Sequence, residues 1–348
     1  MPQLRVLVAD DSLAFRSVLV DSLKKLPVAR IVALAANGQE AIDKFGDFSP
    51  DVITLDVEMP VLDGFQVLEK LRPRLGHTAV IMVSAMTRRS AGATIRALEL
   101  GAFSFITKPE ESSPDKNREV LRQQLSAVFD AIAMRRAPAS ADAARPALAT
   151  GPSKSAAQPK IIGIGTSTGG PHALAEVLPR LPGNLPVPVV LVQHMPALFT
   201  ASLAETMAAK CAVKVVQAEH GMILQAGTVY IAPGGRQLRV ADDGPAAPKR
   251  IEITSDPPEH FCRPSVDYMF RSLAATYRAH AVGVILTGMG QDGAQGLLAM
   301  RQAGAATIGQ DAATCTVYGM PREAYQVGAV EVQLPLDRIA ERIAKLAG

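Results

Sequence analysis

The sequence predicts an α/β protein with two doubly wound parallel-sheet domains, the second carrying a small antiparallel hairpin. Apolar β-type runs alternate with amphipathic helical patterns twice along the 348 residues. Strands that are apolar throughout are typical of a parallel sheet covered by helices on both faces. A stretch without apolar periodicity separates the two alternations. We therefore expect one domain over 1–125, a helical extension and linker over 126–159, and a second domain over 160–348.

The first alternation contains five strand-type runs, "LRVLVA", "ARIVALAA", "DVITLD", "AVIMVSA" and "AFSFIT". Helical patterns such as "FRSVLVDSLKKL" and "AGATIRALELG" lie between them, and "REVLRQQLSAVFDAIAMRR" follows the last strand. Residues from about 135 to 159 are then built largely from Ala, Pro, Ser and Thr. Such a composition buries too little apolar surface to offset the entropy of ordering, so this stretch is predicted to be a flexible linker.

The second alternation includes the strand-type runs "KIIGIG", "VPVVLVQH", "AVGVILTG" and "AATIGQD". In its middle, "QLRVADD" and "RIEITS" have the pattern of a hairpin, which predicts an antiparallel insertion. In a doubly wound fold, chemistry gathers beyond the carboxyl ends of the strands. Candidate functional residues are therefore sought at the ends of these runs.

Composition excludes several functional classes. The net charge of +3 is small and the basic residues form no stripe, so no nucleic-acid partner is expected. Three cysteines without a C-x-x-C pair fit reduced thiols in a cytosol. No run approaches the roughly 20 apolar residues that cross a bilayer. We expect a cytoplasmic monomer that does not insert into membranes.

Polar side chains stand at the strand ends of the first predicted sheet: Asp10, Asp11, Asp56, Ser84 and Lys108. Any one of the acids or the serine would ordinarily be interpreted as a helix cap. Five convergent polar groups at one rim are instead typical of a functional site. Clustered carboxylates favour a divalent hard cation, here Mg²⁺, and the lysine and hydroxyl would hold a phosphate. We therefore predict that Asp56 is phosphorylated at a Mg²⁺ site.

The segments "VLVADDS", "DVITLDVEMPVLDG", "VSA" and "FITKP" resemble the response-regulator receiver domain, which has a flavodoxin-like fold, over roughly residues 1 to 125. The resemblance implies a phospho-accepting Asp56, the metal-binding acids Asp10 and Asp11 with the backbone carbonyl of Glu58, and the switch or phosphate-contacting residues Ser84, Phe105 and Lys108. We expect Phe105 to be buried, because its side chain has no hydroxyl that needs a partner.

The segment "GTSTG" has two interpretations from its residues. It satisfies G-x-S-x-G at a strand-to-helix turn, which would expose Ser167 as a nucleophile. The longer "GIGTSTGG" is also a loosened dinucleotide-binding G-x-G-x-x-G. A dinucleotide site needs an acid at the end of the next strand to hold the ribose, but that strand ends in Gln193 and His194. An imidazole is the base that a serine nucleophile needs, which favours the first interpretation.

A third group must orient the histidine, and Asp292 lies in the glycine-rich loop after "AVGVILT". Asp311 competes on the same logic, but the glycines beside Asp292 allow that loop to fold over the site. His172 competes with His194 as the base but lies within the first turns after Ser167. The remaining histidines are interpreted as structural or surface residues: His77, His220, His260 and His280.

The segments "GIGTSTGGP", "VQHMP", "YIAPGGR", "RPSVD", "ILTGMGQDGA" and "YGMPREA" resemble the catalytic domain of the chemotaxis protein-glutamate methylesterase family, a Rossmann-like serine hydrolase, from about residue 160 to 330. With the receiver and linker, the resemblance covers nearly the whole chain in that family's domain order. It implies a catalytic Ser167, His194 and Asp292, with site support from Thr168 and the backbone of Met289. Thr166 departs from the family pattern, which commonly has alanine there, and adds bulk at a strand end that suits β-branching.

The resemblance implies a phosphorylation-activated hydrolase that demethylates glutamate methyl esters and deamidates glutamines on transmembrane methyl-accepting chemoreceptors, giving chemotactic adaptation. A chemotaxis-type histidine kinase is the implied phosphodonor. Mg²⁺ would serve the receiver, and the esterase chemistry needs no cofactor. Two other classes stay open: a phosphorylation-gated nucleotide-binding regulator and a non-catalytic scaffold. The complete serine, histidine and aspartate set argues against the scaffold.

Overall fold

The computed structural model describes residues 3–110, 113–136, 157–241, 244 and 247–348. The chain divides into two compact units, Met1–Arg136 and Ala137–Gly348. Residues 137–156 of the predicted linker lie outside the described residues, whereas residues 135 and 136 belong to the last helix of the first unit. No helix in the described ranges is both long and apolar enough to cross a membrane.

Strands alternate with helices through the described part of the first unit: β1 (Leu4–Ala9), α1 (Leu13–Lys24), β2 (Ala29–Ala35), α2 (Gly38–Phe48), β3 (Val52–Asp56), α3 (Gly64–Leu71), β4 (Ala79–Ser84), α4 (Arg88–Glu99), β5 (Ser104–Thr107) and α5 (Pro114–Arg136). The strands form one parallel sheet in the order β2-β1-β3-β4-β5. Every residue of β3 and β4 is buried, as their continuous apolar runs predict. The carboxyl ends of β1 and β3 are therefore neighbours.

Side-chain caps fix where the helices of the first unit begin. The N-cap side chains of α1 to α4 each accept a hydrogen bond from a backbone N–H of the first turn: Ser12, Asn37, Asp63 and Thr87. Because each of these helices follows a strand end closely, the caps also limit the length of the loops that form the rim of the sheet.

The described part of the second unit contains β6 (Ile161–Thr166), α6 (Gly170–Val177), β7 (Val189–Gln193), α7 (Ala197–Ala208), β8 (Lys214–Gln217), β9 (Thr228–Ile231), β10 (Gln237–Ala241), β11 (Arg250–Thr254), α8 (Val266–Tyr277), β12 (Ala281–Ile285), α9 (Ala294–Gln302), β13 (Ala306–Gln310), α10 (Met320–Gln326), β14 (Val332–Leu334) and α11 (Leu336–Ala347). Seven strands form a parallel sheet in the order β14-β13-β12-β6-β7-β9-β8, and β10 pairs with β11 in an antiparallel hairpin. The predicted fold class is confirmed, including the hairpin.

Strand order reverses at β6 in the second sheet. The chain passes from β6 to β7 on one side of the sheet and later places β12 on the other side of β6. Such a reversal opens a crevice beyond the carboxyl ends of the central strands. The residues that follow β12, β6 and β7 therefore lie at one rim.

Candidate active site

The acids predicted at the rim of the first sheet lie together. One carboxylate oxygen each of Asp10, Asp11 and Asp56 lies within 4.8 Å of the others. The Lys108 ammonium lies 2.7 Å from Asp56 Oδ2 and 3.0 Å from Asp10 Oδ2. Asp10 and Asp56 are buried and Asp11 is exposed, so the cluster reaches the surface on the Asp11 side.

Burial among like charges sets the proton affinity of Asp56. Burial raises the pKa of its carboxyl to about 6, with Lys108 opposing the rise and Asp10 adding to it. Burial alone would lower the pKa of Lys108, but the two carboxylates outweigh it and raise the pKa. Apart from the Lys108 ammonium at 3.0 Å, the buried Asp10 Oδ2 has no hydrogen-bond partner among the described residues. Its lone pair and the clustered oxygens fit Mg²⁺, which prefers oxygen ligands.

Ser84 and Glu58 flank this cluster. Ser84 is buried at the end of β4, and its hydroxyl accepts a hydrogen bond from Thr94 Oγ1 at 2.9 Å. The backbone N–H of Glu58 lies 3.4 Å from Asp56 Oδ1, and the Glu58 carboxylate accepts a hydrogen bond from Ser90 Oγ at 2.8 Å. The hydroxyl groups of Ser90 and Thr94 thereby connect α4 to the residue that ends β4 and to the loop that follows β3.

The aromatic neighbours of Lys108 differ from the expectation. Phe105 is half-buried rather than buried, because β5 is the edge strand of the first sheet. The ring of Phe15, which was not singled out from the sequence, lies beneath the Lys108 ammonium, 4.8 Å from the ring centroid to Nζ. An aromatic face at this distance attracts a cation and helps to hold the lysine at the acids.

Ser167 lies in a tight turn between β6 and α6. The strand ends at Thr166 and the helix begins at Gly170. Gly169 between them has a φ of 79°, and a Cβ there would lie 2.4 Å from Thr316 Cβ, so the turn requires glycine. Ser167 itself is half-buried. The "GTSTG" segment therefore forms the strand-to-helix elbow that the sequence predicts.

Thr287, beyond β12, fixes this turn from the neighbouring strand. Its carbonyl accepts hydrogen bonds from Ser167 N–H and from Thr166 Oγ1, both at 3.0 Å. Its hydroxyl donates to the carbonyl of Thr168 at 2.9 Å. The extra hydroxyl of Thr166, which was expected to add bulk, is thus hydrogen-bonded in a fully buried position.

His194 follows β7 and lies beside Ser167 across the ladder. Gln193 is opposite Thr166, and His194 N–H donates to the Thr166 carbonyl at 3.2 Å, so the two strand ends stay adjacent. The buried Gln193 amide nitrogen donates to the carbonyls of Ser167 at 2.9 Å and His194 at 3.3 Å. Among the hydrogen bonds of the described residues, none joins Ser167 Oγ to His194.

Asp292 is buried in the loop between β12 and α9, at the N-terminus of α8. Its Oδ1 accepts hydrogen bonds from Ser265 Oγ at 2.8 Å and Asp267 N–H at 2.9 Å, and its Oδ2 accepts one from Val266 N–H at 2.7 Å. His194 Nε2 lies 2.8 Å from the same Oδ2. Burial would raise the pKa of Asp292, but His194 and the backbone donors hold it below its ordinary value. Asp292 is therefore a carboxylate at neutral pH.

An ionised Asp292 determines the tautomer of His194, because Nε2 must carry the proton that the carboxylate accepts. Burial would lower the pKa of His194, but its hydrogen bonds to Asp292 and Cys262 outweigh burial and hold the pKa well above the ordinary 6.5. The imidazole side chain remains 13 % exposed. The neutral ring therefore presents Nδ1 as its basic atom.

Cys262 Sγ lies 3.5 Å from His194 Nδ1. A two-residue turn carries the cysteine there: Glu259 N–H donates to the Cys262 carbonyl at 3.1 Å and Cys262 N–H donates back at 2.7 Å. His260 and Phe261 at its tip have φ values of 49° and 62°, and Phe261 is fully exposed. The turn after the hairpin thus brings a thiol to the basic atom of the histidine.

Backbone segments with N–H groups unpaired among the described residues lie next to Ser167. A Cβ on Gly288 would lie 2.8 Å from Ser167 Cβ, so the chain of Gly288 and Met289 passes directly beside the serine. The N–H groups of Thr168, Gly169 and Met289 donate to no other described residue. These groups are available to bind an oxyanion near Ser167.

The competing candidates are engaged elsewhere. Asp311 Oδ1 accepts hydrogen bonds from the backbone and hydroxyl of Thr314 at 3.0 and 2.6 Å. His260 was interpreted as an ordinary surface residue, but although exposed it lies 3.1 Å from the buried Asp267 carboxylate, beside Asp292. His220 and His280 contact backbone carbonyls: their Nδ1 atoms lie 3.3 Å from the Ile253 carbonyl and 2.8 Å from the Gln158 carbonyl, respectively.

Known proteins resemble this chain over both units. A sequence profile of the CheB methylesterase family matches residues 162–343, and a profile of the response regulator receiver domain matches residues 6–120. A protein-glutamate methylesterase/protein-glutamine glutaminase of Desulfotalea psychrophila is 42% identical, over 99% of this chain and 98% of its own. The enzyme of the same name from Agrobacterium fabrum is 46% identical, over 98% of this chain and 96% of its own. The chain belongs to the CheB methylesterase family.

A solved structure agrees with this assignment for the second unit. The crystal structure of the Thermotoga maritima CheB methylesterase catalytic domain has a TM-score of 0.53 and 37% identity, and it is matched over 55% of this chain and 100% of its own length. The two-domain CheB fold, the receiver and the methylesterase class predicted from the sequence are confirmed.

Three residues at the rim of the CheB methylesterase unit were not singled out from the sequence: Gln193, Cys262 and Thr287. Gln193 and Thr287 lie within the motifs "VQHMP" and "ILTGMGQDGA". Their positions next to His194 and Gly288 could therefore have identified them as residues of the site. Cys262 directly precedes "RPSVD" but has no motif of its own. Its contact with His194, 68 residues earlier, depends on how the turn folds.

Proposed function

We propose that this CheB methylesterase hydrolyses γ-glutamyl methyl esters on transmembrane chemoreceptors, and deamidates glutamines there, through Ser167, His194 and Asp292. The observation that carries the proposal is the 2.8 Å contact between the partly buried His194 and the buried Asp292 at the strand end next to Ser167. A partly buried imidazole oriented by a buried carboxylate beside an elbow serine is the arrangement used for acyl transfer. The names of the relatives support the same substrate class.

In the first half of the reaction, Ser167 Oγ attacks the ester carbonyl carbon and its proton passes to His194 Nδ1. The carbonyl oxygen becomes an oxyanion, which the N–H groups of Thr168 and Met289 stabilise. Collapse of this intermediate breaks the bond to the methoxy group, which leaves as methanol with the proton from Nδ1. For a glutamine, ammonia leaves instead, and both substrates give the same glutamyl ester of Ser167.

In the second half, water attacks the glutamyl ester and gives its proton to Nδ1. Ser167 leaves with that proton, and a glutamate side chain is released. Throughout both halves the Asp292 carboxylate keeps the proton on Nε2 and stabilises the imidazolium that forms. The four hydrogen-bond donors around Asp292 support this role, because they stabilise its negative charge and keep the carboxyl group ionised.

We also propose that phosphorylation of Asp56 by a chemotaxis-type histidine kinase raises this activity. Mg²⁺, when bound by Asp10, Asp11 and Asp56 with the carbonyl of Glu58, would neutralise charge on the incoming phosphoryl group. Lys108 then contacts the phosphate, and Ser84 donates its hydroxyl hydrogen to it. An acetyl-phosphate-type donor with Mg²⁺ should raise esterase activity, and an Asp56→Asn variant that responded equally would refute this control.

Methanol release from methylated receptor membranes tests the esterase proposal. Ser167→Ala should lower the rate by several orders of magnitude, because the hydroxyl that forms the covalent intermediate is lost. Ser255→Ala, at an exposed serine after β11, is the matched control and should keep the parent rate. A Ser167→Ala enzyme with the parent rate would overturn the proposal.

A further inference from the structure

We propose that His194 and Cys262 form a binding site for a thiophilic divalent cation such as Zn²⁺, and that the bound cation inhibits the esterase. The inhibition rests on the proposed role of His194 as the base. The binding itself does not, because it depends only on the two donor atoms and their surroundings. The site would make the activity of this enzyme sensitive to free zinc.

The spacing of the two donor atoms fits a tetrahedral zinc ion. Zinc lies about 2.3 Å from a thiolate sulfur and about 2.0–2.1 Å from an imidazole nitrogen, so at a tetrahedral angle the two ligand atoms are about 3.6 Å apart. Cys262 Sγ and His194 Nδ1 are 3.5 Å apart. The two atoms therefore already occupy positions that correspond to two corners of a zinc tetrahedron.

The far side of the imidazole has the partner that metal-binding histidines require. Such histidines almost always donate their second ring N–H to a carboxylate or carbonyl, which fixes the ring and makes the ligating nitrogen more basic. His194 Nε2 lies 2.8 Å from Asp292 Oδ2, and Asp292 is itself held by Ser265 and by the backbone of α8. The tautomer that this contact selects carries its proton on Nε2, so Nδ1, once deprotonated, is the ring atom left to bind a metal beside the sulfur.

The ligand atoms around this position and their exposure to solvent are also compatible with a bound zinc ion. One ligand atom each of His194, Cys262 and Asp292 lies within 4.8 Å of the others. Because the Asp292 oxygens already accept four hydrogen bonds, the remaining zinc positions are left for water or substrate oxygen. Cys262 is half-buried and the His194 side chain is 13 % exposed, so a hydrated ion has a path to both.

Binding and catalysis compete for the same atom. When zinc binds, the Cys262 thiol and, below the raised pKa of His194, the imidazolium Nδ1 each release a proton to solvent, and the metal takes the lone pair of Nδ1. In the proposed reaction that lone pair receives the Ser167 proton. An enzyme with zinc at this position therefore has no base for the first step.

The other thiols provide an internal control. Within the described residues, neither Cys211 nor Cys315 belongs to a group of three ligand side chains, and Cys211 is half-buried like Cys262. The acid cluster of the receiver offers only oxygen ligands. A thiolate–metal signal can therefore be assigned to Cys262 by comparing Cys262→Ser with Cys211→Ser.

Cobalt spectroscopy of the reduced full chain tests the site without any esterase assay. Co²⁺ should give a thiolate-to-cobalt charge-transfer band in the parent, in Cys211→Ser and in Ser167→Ala, and Zn²⁺ should displace it. The band should be lost in Cys262→Ser and in His194→Ala. A band that survives in Cys262→Ser, or no band in the parent, would overturn the proposed site.

Zinc inhibition of methanol release tests the consequence. The ratio of rates with and without Zn²⁺ is measured within each variant, so a change in basal rate does not matter, and EDTA should restore the parent rate. Half-inhibition of Cys262→Ser should need at least about ten times more zinc than that of Cys211→Ser, as expected for a lost ligand. Equal zinc sensitivity would overturn the inhibitory role.

If instead the cobalt band forms as expected while Ser167→Ala retains the parent rate, the metal site stands and the proposed esterase mechanism fails.

Discussion

His194 Nε2 lies 2.8 Å from Asp292 Oδ2, and this carboxylate also accepts hydrogen bonds from Ser265 and from two backbone N–H groups at the start of α8. The helix N-terminus stabilises the negative charge. The orientation of the imidazole is therefore set by a rigid helix end, although the aspartate itself belongs to a loop.

Asp292→Asn should lower kcat by roughly 10⁴-fold, because an amide no longer selects the His194 tautomer with a proton on Nε2. Asp311→Asn is the matched control, since Asp311 contacts Thr314 and was the rival acid in the sequence. Methanol release by the two purified variants separates them. Comparable losses in both variants, or the larger loss in Asp311→Asn, would contradict the assignment.

Gln193→Met should lower kcat by roughly ten- to a hundredfold with little change in KM, because small displacements of reacting groups are costly. The amide nitrogen joins the carbonyls of Ser167 and His194, and methionine keeps the shape without the donor. Gln217→Met, at a glutamine that ends the edge strand β8 and donates to Thr200, is the control. An increase in KM with unchanged kcat would rule out a positioning role for Gln193.

The pH dependence of kcat/KM follows from the His194 pKa. A raised pKa keeps the imidazole protonated to higher pH, and the protonated ring is not a base. The rate constant should therefore increase with pH through a midpoint above the ordinary value of 6.5. Asp292→Asn should shift this midpoint downward, because the imidazolium loses its counter-charge. A parent midpoint at or below 6.5 in the measured profile would be inconsistent with the ion pair.

Mg²⁺ binding by the receiver should weaken as the pH falls through about 6, the raised pKa of Asp56. Below that value the carboxyl is protonated and must lose its proton to bind the metal, so affinity should fall by up to about tenfold per pH unit. Isothermal titration calorimetry at several pH values measures this change. Asp56→Asn should lack it, and equal affinities across this range in the parent would show that Asp56 does not ligate the ion.

Much of the fold follows from the sequence, because strands such as β3 and β6 are buried at every residue and read as continuous apolar runs. Since parallel strands end at one rim, the positions of Asp10, Asp56, Ser167 and His194 at strand ends also predicted which of them are neighbours. The hairpin β10–β11 followed from its separate, alternating pattern.

Contacts that depend on loop geometry did not follow from the sequence. Cys262 meets His194 only because the turn at His260 and Phe261 folds back with two positive φ values in residues other than glycine. The half-burial of Phe105 likewise depends on β5 being an edge strand, which the order of runs along the chain does not reveal. Sequence patterns specify faces and ends of elements, whereas these contacts depend on how separate elements pack.

Labelling with a serine-directed organophosphonate, followed by peptide mass spectrometry, tests most directly whether Ser167 is the activated nucleophile. The reagent should form a single adduct on Ser167 of the parent, and His194→Ala should react far more slowly because the proton acceptor is lost. The exposed Ser255 should stay unmodified in both. An adduct on another residue of an active enzyme, with Ser167 unmodified, would contradict the role of Ser167.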